Sequence, residues 1–187
     1  VTKDELRTDL LRRRREMSDD VRAEAAEAIA LHVLAAPIIS SARRVACYLS
    51  MATEPGTAPL IERLLARGIE VIVPLSLADG TLDWAVYDPA ATTTVTTLGI
   101  AEPEGSSLGS AAIEDCALIF VPALAVDHAG MRLGRGAGYY DRALAGTTRP
   151  TCAVVFAHEL IESVPHEPHD VPVNMAVTPN GIFHVPE

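Results

Sequence analysis

Residues 131–141 read MRLGRGAGYYD, the densest run of chemically useful residues in the chain. Gly134, Gly136 and Gly138 permit left-handed backbone and let N–H groups come close to an anion. Arg132 and Arg135 interleave with them as charge-assisted donors. A helix is expected from Tyr139, so its N-terminal dipole would favour a phosphate at the loop. Asp141, one turn in, could then hold a magnesium ion beside that phosphate. The same residues also suit a plain structural turn. No Gly-Lys-Ser/Thr follows, so the run is not a P-loop. It is not a dinucleotide fingerprint either. That motif follows its strand directly and expects an acid about 20 residues later, whereas here a loop intervenes and the next strand, CAVVF, carries no acid.

Three further groups could join this loop. Lys3 and Arg7 are four apart and share a helix face, as a clamp for a polyphosphate or as a solvated basic face. Lys3 is the only lysine among fifteen basic residues, which sets it apart from a surface drift toward arginine. The run Arg12–Arg15 reads as surface or interface. Glu54 is the one carboxylate in YLSMATEPGT (48–57), at the C-terminal end of an expected parallel strand, where α/β proteins place ligands. It could accept from a ring N–H and an amino group, or simply precede a helix. In the tail, HEPHD (166–170) lacks the further ligands a transition metal needs, and Asp170 suits a hard oxygen ligand for magnesium better. His158 and Glu159 lack the second histidine of a zinc protease, and no serine nucleophile elbow is present.

The elements that must position these residues alternate. Helices are expected over 3–17 and, capped by Ser18 with Asp19 and Asp20 in the first turn, to about Ala36, where Pro37 ends the second. Apolar runs at Val45–Ser50, Glu70–Val73 (stopped by Pro74), Cys116–Val121 and Cys152–Phe156 read as strands, with a last one near Ala176–Thr178. Helices are expected at Thr57–Arg67 and Tyr139–Ala145. Thr81–Tyr87 alternates and holds the only tryptophan, Trp84; Ala90–Thr97 is irregular or an edge; a long loop runs from Val121 to Gly138. Continuous apolar runs separated by helices indicate buried parallel strands in an α/β sandwich.

Composition bounds the function. The chain has 187 residues with 49% hydrophobic and 4% aromatic content, enough for one domain with an aliphatic core. A net charge of −10 argues against nucleic acid as a partner. The charge is uneven: residues 1–44 carry nine basic and eight acidic residues, and the rest six and seventeen. Cys47, Cys116 and Cys152 lie in apolar runs and read as reduced core thiols. With no apolar stretch of the ~18 residues a membrane helix needs and no secretory leader, the expectation is a cytoplasmic monomer.

In order along the chain, these pieces resemble the 5-formyltetrahydrofolate cyclo-ligase (methenyltetrahydrofolate synthetase) family. The likeness runs through KDELR, YLSMATEPGT, GIAEP, RLGRGAGYYD and HDVPVNMAVT, nearly the whole chain. It implies a single domain over 1–187, the helices of 1–36 packed on an α/β core. It implies a three-layer sandwich with a mainly parallel sheet, similar to the sugar-phosphate isomerase and CoA-transferase folds. It implies Mg²⁺ and ATP, with the 5-formyl group phosphorylated on oxygen and then attacked by N10 to close the methenyl bridge. Lys3, Arg7 and the loop Arg132, Leu133, Gly134, Arg135, Gly136, Ala137, Gly138, Tyr139 and Tyr140 would take ATP. Arg132 and Arg135 would act in catalysis. Leu49, Met51, Glu54, Trp84 and Tyr139 would contact the folate, and Asp141 and Asp170 would serve magnesium. Ala123, Val126, Arg135, Ala137 and Asn174 depart from the family's usual residues. Two alternatives are an ATP-independent isomerase-like enzyme on the same fold and a non-catalytic binder of folate and nucleotide.

Overall fold

The computed structural model describes residues 1–96 and 101–186. Helix α1 (Lys3–Glu16) starts at a capping box: Thr2 Oγ1 accepts from the Glu5 N–H, and Glu5 accepts from the Thr2 N–H. Helix α2 (Asp19–Ala35) is capped by Ser18, as its sequence predicts. Pro37 does not merely end α2. It opens a one-turn helix, α3 (Pro37–Ser40), in the first-turn position where proline's missing N–H costs nothing.

The chain continues as β1 (Arg44–Ala46), α4 (Ala58–Ala66), β2 (Glu70–Ser76), β3 (Leu82–Val86), β4 (Thr93–Val95), β5 (Ala101–Pro103), β6 (Leu118–Pro122), β7 (Ala125–Asp127), β8 (Arg132–Leu133), α5 (Tyr139–Leu144), β9 (Thr151–Val154), β10 (Leu160–Ile161), β11 (Met175–Thr178) and β12 (Gly181–His184). The main sheet has the order β12-β11-β9-β6-β1-β2-β3. Its five central strands are parallel, and β3 and β12 add antiparallel edges. Leu118 and Phe120 of β6 face one layer, packed with Ile29, Val33, Leu60 and Leu64 of α2 and α4. Ile119 and Val121 face the other, with Trp84, Ile113 and Leu144. This period-two split of an apolar run is what a sheet covered on both faces requires. The fold is the expected α/β sandwich.

Three expectations are corrected. Pro74 does not stop β2, which runs on to Ser76 with Pro74 opposite Trp84. The Ile72 carbonyl accepts from Cys47, so Ile72 and Pro74 share the β1-facing side. β1 has ended before Pro74, so no ladder bond needs its absent N–H. Part of the long loop before Gly138 is instead the hairpin β7–β8, which joins β10 in a small three-stranded sheet. The buried Asp127 carboxylate makes that turn by accepting from the N–H groups of Ala129, Met131 and Val164. Finally β12, unexpected from sequence, closes a hairpin on β11. In the GIAEP segment, residues 101–103 form β5 on β4, while Gly99 and Ile100, like Thr97, lie outside the described residues.

Candidate functional site

Parallel strands deliver their following loops to one end of a sheet. Here the loop after β1, the β8–α5 loop and α1 meet around a cleft of about 870 Å³. The β1 loop is locked locally. Thr57 Oγ1 donates to the Tyr48 carbonyl at 2.7 Å, and Ser50 and Thr57 exchange side-chain-to-backbone bonds. Glu54 is buried to 8% exposure, and its Oε2 accepts from the Met51 N–H at 2.8 Å. Its Oε1 faces Arg135 Nε at 3.3 Å. Glu54 therefore spans from the β1 turn to the glycine loop. Leu49 and Met51 line the wall beside it.

The glycine loop is held from three sides. Arg7 Nε donates to the Gly134 carbonyl at 2.9 Å, which sews α1 to the loop. Arg142 of α5 donates to the carbonyls of Ala137 and Gly80 and lies over the Tyr139 ring. Arg132 is buried and donates to the Val171 carbonyl and, at 2.7 Å, to Asp141 Oδ1. Gly136 and Gly138 have φ of +105° and +72°, so the loop uses the freedom its sequence offers. Helix α5 has only six residues, so its dipole is weaker than the sequence reading assumes; the arginines and loop N–H groups must supply most of any anion affinity.

Lys3 and Asp170 meet at 2.7 Å across the cleft mouth. Burial alone would raise the Asp170 carboxyl. The Lys3 ammonium and the Glu167 N–H outweigh that and hold it below the ordinary 3.8. Burial and nearby Glu54 push the Tyr48 phenol well up. Burial and the neighbouring Cys47 and Glu54 raise Tyr140. The Tyr140 hydroxyl is buried with no hydrogen-bond partner among the described residues.

Lys3, Arg7, Leu49, Met51, Glu54, the stretch Arg132–Tyr140, Asp141 and Asp170 thus all line one cleft. Trp84 does not. It is 1% exposed in the core and backs the cleft wall through an edge contact with Tyr140 at 6.5 Å. Arg14 is a residue the sequence reading misplaces on the surface. It is buried and ion-paired with Glu159 while lining the cleft floor. Its signal was its position on the same helical stripe as Lys3 and Arg7, which grouping it with Arg12–Arg15 by composition concealed. Arg142, which sequence reasoning does not single out, supports the loop from α5. No group of three or more His, Cys, Asp or Glu able to hold a metal occurs among the described residues, and no helix there is long and apolar enough to cross a membrane.

The model of the 5-formyltetrahydrofolate cyclo-ligase family matches residues 1–179. The 5-formyltetrahydrofolate cyclo-ligase of Mycolicibacterium smegmatis is 40% identical over 185 residues, covering 95% of this chain and 94% of that protein. The Escherichia coli protein of the same name is 31% identical, covering 91% of this chain and 97% of its own. The structure of Aquifex aeolicus 5,10-methenyltetrahydrofolate synthetase superimposes with a TM-score of 0.85 at 29% identity, covering 100% of this chain and 94% of the other. The chain belongs to the 5-formyltetrahydrofolate cyclo-ligase family and is a ligase.

Proposed function

We propose that the protein uses Mg-ATP to convert 5-formyltetrahydrofolate into 5,10-methenyltetrahydrofolate, releasing ADP and phosphate. The observation that carries this reading is the convergence of α1, the glycine loop and the Glu54 turn on one cleft, with Arg135 of the loop touching Glu54 of the turn. A phosphate cradle and a carboxylate suited to a pterin edge thereby face each other at contact distance.

The formyl group on N5 is an amide, so its carbon is a poor electrophile and its oxygen a poor leaving group. Transfer of the γ-phosphoryl to that oxygen answers both difficulties. The oxygen–phosphorus bond forms as the bond to the ADP oxygen breaks. N10 then attacks the carbon and gives up its proton to solvent, and phosphate departs with the former formyl oxygen to leave the cationic methenyl bridge. Such a reaction asks the protein for alignment and charge neutralisation more than for a nucleophile. Lys3 and Arg7 bind the phosphates from α1. Arg132, fixed by Val171 and Asp141, and Arg135, the more exposed of the two, neutralise charge as it moves. The backbone from Leu133 to Tyr140 wraps the nucleotide. Leu49, Met51 and Tyr139 line the pterin side. Glu54 orients the pterin through its carboxylate, Oε2 staying on the Met51 N–H while Oε1 gives up the longer contact with Arg135 for the pterin edge.

Magnesium fits as an ion shared with the nucleotide and not as one held by protein alone. It binds readily through one or two carboxylates plus substrate phosphates. Asp141 takes both its hydrogen bonds on Oδ1, which leaves Oδ2 for a cation, and Asp170 takes those from Lys3 and Glu167 on Oδ2. When bound, the ion would help neutralise the charge of the nucleotide phosphates.

Mixing the protein with 5-formyltetrahydrofolate and Mg-ATP should produce the methenyl absorbance and ADP in equal amounts. With ¹⁸O in the formyl group, the label should leave in the phosphate. Product without ATP would favour an isomerase-like route, and binding of both ligands without ADP a non-catalytic role; either would overturn the proposal.

A further inference from the structure

In α1, residues 3, 7, 10 and 14 recur at intervals of four, three and four and so form one stripe. The stripe presents Lys3 and Arg7 to the cleft, Leu10 to the small sheet and Arg14 to the cleft floor. Leu10 and Arg14 are the only fully buried side chains of the helix. Leu6, Leu10 and Leu11 pack against the same apolar cluster, but apolar contact is non-directional and sets rotation about the helix axis only coarsely.

Arg14 is directional. Its Nε and Nη2 meet Glu159 Oε1 and Oε2 at 2.6 and 2.8 Å, and Nη2 also donates to the Ala123 carbonyl at 2.7 Å. The Phe156 N–H donates to Glu159 Oε2, and the guanidinium lies 5.6 Å from the Phe156 ring centroid. The fork thus ties α1 to the ends of β6 and β9 at once. Side-chain exposure is 1% for Arg14 and 0% for Glu159. A pair so buried pays a desolvation cost that cancels most of its attraction, so its presence is poorly explained by stability.

We infer that Arg14 and Glu159 are positioning residues that set the rotation and depth of α1, so that Lys3 and Arg7 face the triphosphate. A helix is stiff along its axis, and Arg14 lies only about 10 Å from Arg7 along it; a rotation fixed at one is transmitted to the other. The inference rests on the proposed role of Lys3 and Arg7 as phosphate ligands.

The test is the double variant Arg14→Met with Glu159→Leu, which removes both charges and keeps the volume apolar, an exchange that buried pairs commonly tolerate. Thermal melting and calorimetric binding of a non-hydrolysable Mg-ATP analogue and, separately, of 5-formyltetrahydrofolate are measured. The expected result is a folded protein whose melting temperature falls by several degrees, since the Ala123 carbonyl and the Phe156 N–H lose their partners, nucleotide affinity reduced about tenfold, as for loss of one charge-assisted bond, and unchanged folate affinity. In a Lys3→Ala, Arg7→Ala background the same double change should add less than about twofold. Unchanged nucleotide affinity, equal loss of both ligands, or failure to fold would each overturn the inference, the last because the pair would then belong to the fold itself. A parent protein that binds no nucleotide would instead sink the phosphate reading of Lys3 and Arg7.

Discussion

Gly138 has a φ of +72°, and a Cβ built on it would lie 2.7 Å from an Arg142 guanidinium nitrogen. Gly138→Ala should therefore cost about 1–2 kcal/mol of stability from the left-handed backbone and displace Arg142 from the Ala137 carbonyl, lowering activity as well. Gly134 differs: its φ is unexceptional and a Cβ there meets nothing within 4 Å. Gly134→Ala should melt like the parent, so any loss of turnover would report a ligand passing close to that backbone. Denaturation curves beside the methenyl assay separate the two cases. Arg132→Ala and Asp141→Ala should each reduce turnover by about 10²-fold or more, the scale of losing a preorganised charge in a transition state. Unchanged methenyl formation in either would remove that residue from the reaction. At this scale the glycine run and its arginines were legible because residue type alone declares them. Arg14 was not, since composition treats four consecutive arginines alike and only their phase against Lys3 and Arg7 separates the one that faces inward.

Among the elements, the parallel strands were the most legible, because a sheet covered on both faces needs unbroken apolar runs. Their ends were less so. Whether Pro74 stops β2 depends on how far the neighbouring β1 extends, which is not a local property. The hairpin β7–β8 escaped notice for a similar reason: its turn is made by Asp127, an acid whose burial only the tertiary structure supplies. The cysteines follow from the strands. Cys47, Cys116 and Cys152 are each at most 1% exposed, and burial pushes all three thiols up to about 12. In native protein at pH 8 a disulfide reagent should therefore titrate essentially no thiol over minutes, and all three after denaturation. Rapid reaction of any one in the native state would show that its strand opens readily.

For the whole molecule, each cleft-lining arginine or lysine already has a carboxylate partner: Lys3 with Asp170, Arg7 with Asp4, Arg14 with Glu159, Arg132 with Asp141 and Arg135 with Glu54. This balance explains how an acidic chain gathers five basic side chains around one cleft without concentrated like charge. It also sets a pH response. Asp170 has a lower carboxyl value folded than unfolded, so its contribution to stability is complete above the ordinary 3.8 and is lost as pH falls through the folded value. An Asp170→Asn variant should be less stable than the parent at neutral pH, and the two should converge at the acid end of a titration followed by circular dichroism. Parallel curves throughout would mean that the Lys3 pair contributes nothing. The pairing itself was invisible in sequence, because its partners are up to 167 residues apart; only the order of the motifs hinted that the ends of the chain meet. Trp84 adds a last consequence. The chain's sole indole is sealed from solvent and edge-on to Tyr140, whose neighbour Asp141 lies in the first turn of α5. Its fluorescence reports on one place only, so a change in emission on adding nucleotide would follow movement of that helix in real time, with no label attached.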